Sequence, residues 1–107
     1  MTRIEIDHPA MIAALKRLLD LARSDTGQSA RVARFLMAWW NGPDLGDFPI
    51  ADLFGLDRNV AGDITTVIGF LGQHDGAIYI DSLGYRAEMV VIVERWATLS
   101  RTSAEAA

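Results

Sequence analysis

Val32-Ala33-Arg34-Phe35-Leu36-Met37-Ala38-Trp39-Trp40-Asn41-Gly42-Pro43 sets the architecture of the chain. Its apolar set, Val32, Phe35, Leu36 and Trp39, follows the i, i+3, i+4, i+7 template of a helix with one buried face. Arg31 and Arg34 stand beside that stripe. Asn41-Gly42-Pro43 then reads as a stop. Gly or Asn accepts a left-handed cap, and Pro cannot continue the hydrogen-bond ladder. Thr26 to Ser29 supplies residues able to cap the start.

The same period appears on both sides of this helix. Upstream, Asp7-His8-Pro9 opens a helix carrying Met11, Leu15, Leu18 and Ala22, with Ile12 and Leu19 widening the stripe. Pro is tolerated there because the first-turn N–H groups have no partner. Ser24-Asp25-Thr26-Gly27 ends it. Downstream, Asp44 to Phe48 reads as loop and Pro49 to Phe54 as a short helix ending at Gly55. Asp57 is placed to cap the next helix, whose stripe is Val60, Ile64, Val67, Ile68 and Leu71. The β-branched run Thr65-Thr66-Val67-Ile68 makes a strand the competing reading. After the turn His74-Asp75-Gly76, Ala77 to Ile80 reads as a brief strand, and Thr2 to Ile6 as a short strand or an ordered arm. The last helix is expected over Tyr85 to Leu99, burying Met89, Ile92, Val93, Trp96 and Leu99. Val90 and Val91 make it apolar around much of its circumference, which predicts a central position. The fold class is therefore all-α, a compact bundle of about five helices, with room for a minor two-stranded β element. Residues 1–99 form one domain and residues 100–107 a flexible tail.

Composition bounds the function. The 107 residues hold 50% hydrophobic residues, enough for a core in a chain of this size. With no cysteine, disulfide scaffolds, thiolate metal sites and a Cys nucleophile are excluded. No apolar run approaches the roughly 18 residues of a membrane span. Met1 to Glu5 lacks the build of a signal peptide, so a cytoplasmic, non-membrane protein is expected.

The net charge of −4 is unevenly placed. Residues 1–41 carry six Lys/Arg against four Asp/Glu, whereas residues 42–88 carry two Arg against eight acids. Such a field repels phosphates and favours basic partners.

Catalytic and metal chemistry find no constellation. His8 and His74 lack metal spacing, and no cofactor motif appears. Asp57 to Asp63 imitates the start of a calcium loop, but Ala61 stands where an oxygen ligand is usual and Ile68 where the bidentate Glu belongs. There is no nucleophile elbow and no phosphate-cradling loop. A non-enzyme is expected, with no metal and no cofactor.

Two binding readings remain. Ile50 to Ile64 has helix-turn-helix spacing, with Ala77 to Ile80 as a candidate wing. Its second helix offers Arg58 and Asn59 to DNA, but Asp57 and Asp63 beside them oppose the phosphate contacts that supply most affinity. Trp39-Trp40 is the most distinctive local feature. Adjacent helical residues point about 100° apart, so either the helix end is buried deeply enough to take both indoles into the core, the simpler reading, or one is exposed as an interface anchor.

Asp25-Thr26-Gly27-Gln28-Ser29, Val32 to Leu36, Ala38-Trp39-Trp40-Asn41, Asp81-x-Leu83-Gly84-Tyr85 and Glu94-Arg95-Trp96 together resemble a family of small proteins of unknown function. Its members are encoded on proteobacterial plasmids and integrative elements. The resemblance covers residues 13–97 and carries no catalytic role. Its mobile-element setting implies a protein that binds host or element machinery, including inhibitors of CRISPR or restriction complexes that occupy basic nucleic-acid channels. The expected function is a protein-binding module for a basic-surfaced partner, using Asp44, Asp47, Asp52, Asp57 and Asp63 with Trp40 as anchor. Direct nucleic-acid binding through Arg58 and Asn59 is the alternative, and a homodimer the third reading.

Overall fold

The computed structural model describes the backbone of residues 5–106 and the side chains of residues 5–97. Among the described residues there are four α-helices, α1 (His8–Ala22), α2 (Gly27–Leu45), α3 (Arg58–Gln73) and α4 (Arg86–Ala106), with a 3-10 segment, Ile50–Gly55, between α2 and α3 and another, Ile80–Leu83, between α3 and α4. The all-α class is as the periodicities predict. Among the described residues there is no strand. Ala77 to Tyr79 is irregular and Ile80 opens a 3-10 turn, so neither a β element nor a wing forms there. Of the proposed N-terminal strand, residues 1–4 lie outside the description, and Glu5 to Asp7 is irregular. The backbone of α4 runs past the expected stop at Leu99 to Ala106, and the side chains of the expected tail lie outside the described residues.

Helix starts follow local chemistry. Asp7 accepts the Ala10 N–H at 2.7 Å, meeting one donor that the first turn leaves unpaired. Thr26 and Ser29 form a reciprocal capping box. The Ser29 N–H donates to Thr26 Oγ1 and the Thr26 N–H to Ser29 Oγ. Ser29 is fully buried, so this pairing removes the cost of an unsatisfied hydroxyl. Asp57 stands at the N-cap position of α3, but its side chain makes no cap bond. Its carboxylate accepts from Gln28 Nε2 at 2.8 Å, and its backbone N–H donates to Gln28 Oε1 at 2.7 Å.

The core gathers around α1. Met11, Leu15, Leu18 and Ala22 are buried against Val32 and Leu36 of α2, Ile64 and Val67 of α3, and Met89 and Ile92 of α4. Each such Leu or Ile stabilises the fold by about 1.5–3 kcal/mol through apolar burial. α1 packs chiefly on α3 and α2, and α2 packs on α4. The centre is therefore α1. α4 lies at the periphery, with Val91 51% exposed and Val90 39% exposed. Its valines turn outward because Met89 and Ile92, three apart, already define the buried line. The face of α3 is also rotated from the expected stripe. Phe70 is buried and Ile68 is 40% exposed. Phe70 turns inward between His8 and His74, with ring centroids 5.9 Å from each. The β-branched Thr65 to Ile68 run stays helical, as tertiary burial of Ile64 and Val67 outweighs its weak strand preference.

Candidate functional site

The most featured surface lies where α2 breaks. Residue 41 leaves helical geometry (φ −158°, ψ 70°), and the helix then resumes to Leu45. Asn41-Gly42-Pro43 thus interrupts the helix instead of ending it. Pro43 falls in the first turn of the resumed segment, where its missing N–H costs little. Asn41 Nδ2 donates to Asp44 Oδ2 at 2.9 Å across that turn. Gly46 closes it with φ +105°, its N–H donating to the Gly42 carbonyl at 2.8 Å. That backbone conformation favours glycine.

A second wall comes from residues far along the chain. The Trp39 indole N–H donates to the Ile78 carbonyl at 2.9 Å, and Ile80 is fully buried. Those two inward attachments hold the segment, and the alternate residues Tyr79 and Asp81 are left exposed beside the helix break. Trp40, Asn41 and Pro43 from one wall, with Tyr79 and Asp81 from the other, line a depression of about 480 Å³. A second depression of about 410 Å³ shares Trp40 and Asn41 and adds Asp44, Leu45 and Arg86. There the Arg86 guanidinium lies 5.9 Å from the Trp40 ring centroid, within cation–π range. Trp40 is half-buried, so it is neither a core residue nor a free anchor. A third depression shares Leu45 and reaches Asp47 and Arg34.

The five aspartates proposed from the sequence do not form one free acidic patch. Asp63 accepts two hydrogen bonds at 2.9 Å from Arg17 of α1. That hydrogen bonding, with the charge attraction, raises the pKa of the Arg17 guanidinium. Asp52 accepts from Arg34 at 2.7 Å, and Asp57 is held by Gln28. Asp44 is exposed and bonded to Asn41, and Asp47 is exposed. The structure therefore brings Asp44 and Trp40 into one depression and spends Asp52 and Asp63 on internal ion pairs.

The segment with helix-turn-helix spacing does not make two α-helices. Ile50–Gly55 is a six-residue 3-10 segment with no buried residue, and only its successor α3 is α-helical. Arg58 and Asn59 are exposed at the start of α3, beside the Arg17–Asp63 pair. Among the described residues, no three His, Asp or Glu gather in a way that could hold a metal ion, and no helix is long and apolar enough to cross a membrane.

Sequence reasoning missed Phe54, which is 90% exposed, and the contributions of Tyr79, Asp81 and Arg86. Phe54 sits on a turn held at three points. Arg34 pairs with Asp52, Arg31 donates to the Gly55 carbonyl at 3.2 Å, and Gln28 binds Asp57. Gly55 fits close over Arg31, since a Cβ there would come within 2.6 Å of the guanidinium carbon. No curated protein and no solved structure matches the chain. The model of a family of unknown function, DUF7673, matches residues 12–97, and the chain belongs to that family.

Proposed function

We propose that this chain is a non-enzymatic protein-binding module that docks a partner with a basic surface. The observation that carries the reading is Phe54, 90% exposed on a turn pinned by Arg34, Arg31 and Gln28. A single exposed apolar residue is ordinary. A large aromatic on a turn fixed by three polar ties is pre-ordered, so little side-chain or loop entropy is lost when a partner covers it. Ile50, 69% exposed, adds apolar surface to the same turn. Charge supplies the sign of the partner. Residues 42–57 hold four aspartates and no Lys or Arg, and Asp47 and Asp57 are exposed.

The finer reading is an inhibitor, carried on a mobile element, that occupies a basic channel of a nucleic-acid-handling defence complex. It rests on the resemblance noted above and on the acidic middle of the chain. The internal pairing of Asp52 and Asp63 narrows the contact set to Asp44, Asp47 and Asp57 with Phe54.

The test is a tagged capture from a proteobacterial lysate containing CRISPR machinery, run with and without nuclease on the wild type, Phe54→Ala and Asp47→Lys. The expected result is a stoichiometric, nuclease-resistant protein held by the wild type and lost from both variants. Identical capture by all three overturns the surface. Recovery of DNA alone, abolished by nuclease, overturns protein binding in favour of the Arg58 and Asn59 face. A single species of dimer mass with no captured protein favours the homodimer.

A further inference from the structure

We infer that the depression between Trp40 and Tyr79 receives the guanidinium of an arginine side chain from a protein partner. This deepens the protein-binding reading only in naming the source of the group, and it uses a surface other than the Phe54 turn.

The argument begins with the walls. Three aromatic residues, Trp39, Trp40 and Tyr79, line the depression with Pro43 and Asp81, and among the described residues no Lys or Arg lines it. Aromatic faces carry negative quadrupole density and attract a cation within about 6 Å. Trp40 already does this on its Arg86 side, at 5.9 Å. The same indole borders the neighbouring depression, where no cation is supplied among the described residues.

An organic cation there meets aromatic side chains and a carboxylate together.

Guanidinium fits better than ammonium. It is planar, stacks on an indole, and presents a fork of N–H donors to a carboxylate. It is also weakly hydrated, so entering a half-apolar depression costs it less. The site is preformed. Ile80 in the core and the Trp39–Ile78 hydrogen bond fix the segment that carries Tyr79 and Asp81.

The experiment titrates the intact protein with a blocked Gly-Arg-Gly peptide and follows the Trp40 indole N–H resonance by NMR, assigned from a Trp40→Phe spectrum. Blocked Gly-citrulline-Gly, the neutral isostere, and Gly-Lys-Gly serve as controls. Saturable shifts with a Kd of order 1 mM are expected for the arginine peptide. Asp81→Asn and Tyr79→Leu are each expected to weaken binding about threefold or more. Both residues are exposed, and an unchanged Trp96 indole signal, remote from the depression, verifies the fold. Phe54→Ala is expected to bind the peptide as the wild type does, so this proposal and the Phe54 surface fail separately. Equal shifts with the citrulline peptide, or unchanged affinity in both variants, overturn the site. Equal affinity for the lysine peptide overturns the guanidinium assignment.

Discussion

The α1 core and the turn bearing Phe54 are ordered by opposite means. α1 is held by side chains with no access to water, Met11, Leu15 and Leu18 among them. The 3-10 segment Ile50–Gly55 has no fully buried residue; Leu53 packs only partly buried against the core, and Arg34, Arg31 and Gln28 reach from α2 to tie the turn. Apolar burial is non-directional and large, whereas each exposed polar tie is directional and small. The first kind makes the fold stable. The second kind decides where a surface feature points while adding little to stability.

The sharpest way to break that contrast is Leu15→Ala. It empties a fully buried position and is expected to cost about 2–5 kcal/mol, read as a lower urea midpoint with the slope unchanged. A loss under about 1 kcal/mol would mean that α1 is not the organising helix.

Trp96→Phe tests a mixed case. The Trp96 indole N–H donates to the Ala22 carbonyl at 2.7 Å, joining α4 to the end of α1. Phe keeps much of the apolar area but leaves that part-buried carbonyl without its donor, a cost of about 1–2 kcal/mol. A midpoint equal to the wild type would show that apolar packing alone holds α4 in place.

Arg34→Ala is the smallest perturbation and the most informative about the turn. Its ion pair with Asp52 is half-exposed, so global stability is expected to fall by about 0.2–1 kcal/mol. Hydrogen exchange at Asp52 to Leu56 is nevertheless expected to quicken well beyond what the global change explains. Uniform exchange across the chain would remove the distinction between the two regions.

These mechanisms also explain what could be read in the sequence. The stripes of α1 and α2 were legible because burial repeats with the helical period, and both capping groups lie within three residues of their partners. The face of α3 was misjudged at Ile68 and Phe70, since hydropathy alone does not say that His8 and His74 will flank a ring at 70. The central place given to α4 failed because Val90 and Val91 are apolar yet turned to solvent. At the candidate site, Trp40 and Asp44 were legible as neighbours on one helix. Tyr79 and Asp81 were not, because the Trp39–Ile78 hydrogen bond that brings them there spans 39 residues. The same limit hid the pairing of Asp52 with Arg34 and of Asp63 with Arg17. Charge counted along a chain overstates the acidity of a surface whose carboxylates are matched in three dimensions.

The arm before α1 is fastened to α3 through one side chain. Gln73 near the end of α3 accepts the Ile6 N–H at 2.9 Å and donates to the Ile6 carbonyl at 2.6 Å, in the manner of a single rung of a ladder. Gly69 leaves the space beneath, since a Cβ there would come within 2.4 Å of the Ile6 side chain. The Ile6 amide proton is thus guarded by one side chain and by no secondary structure of its own. Its exchange rate is a clock for detachment of this arm from α3, running separately from the clock of global unfolding.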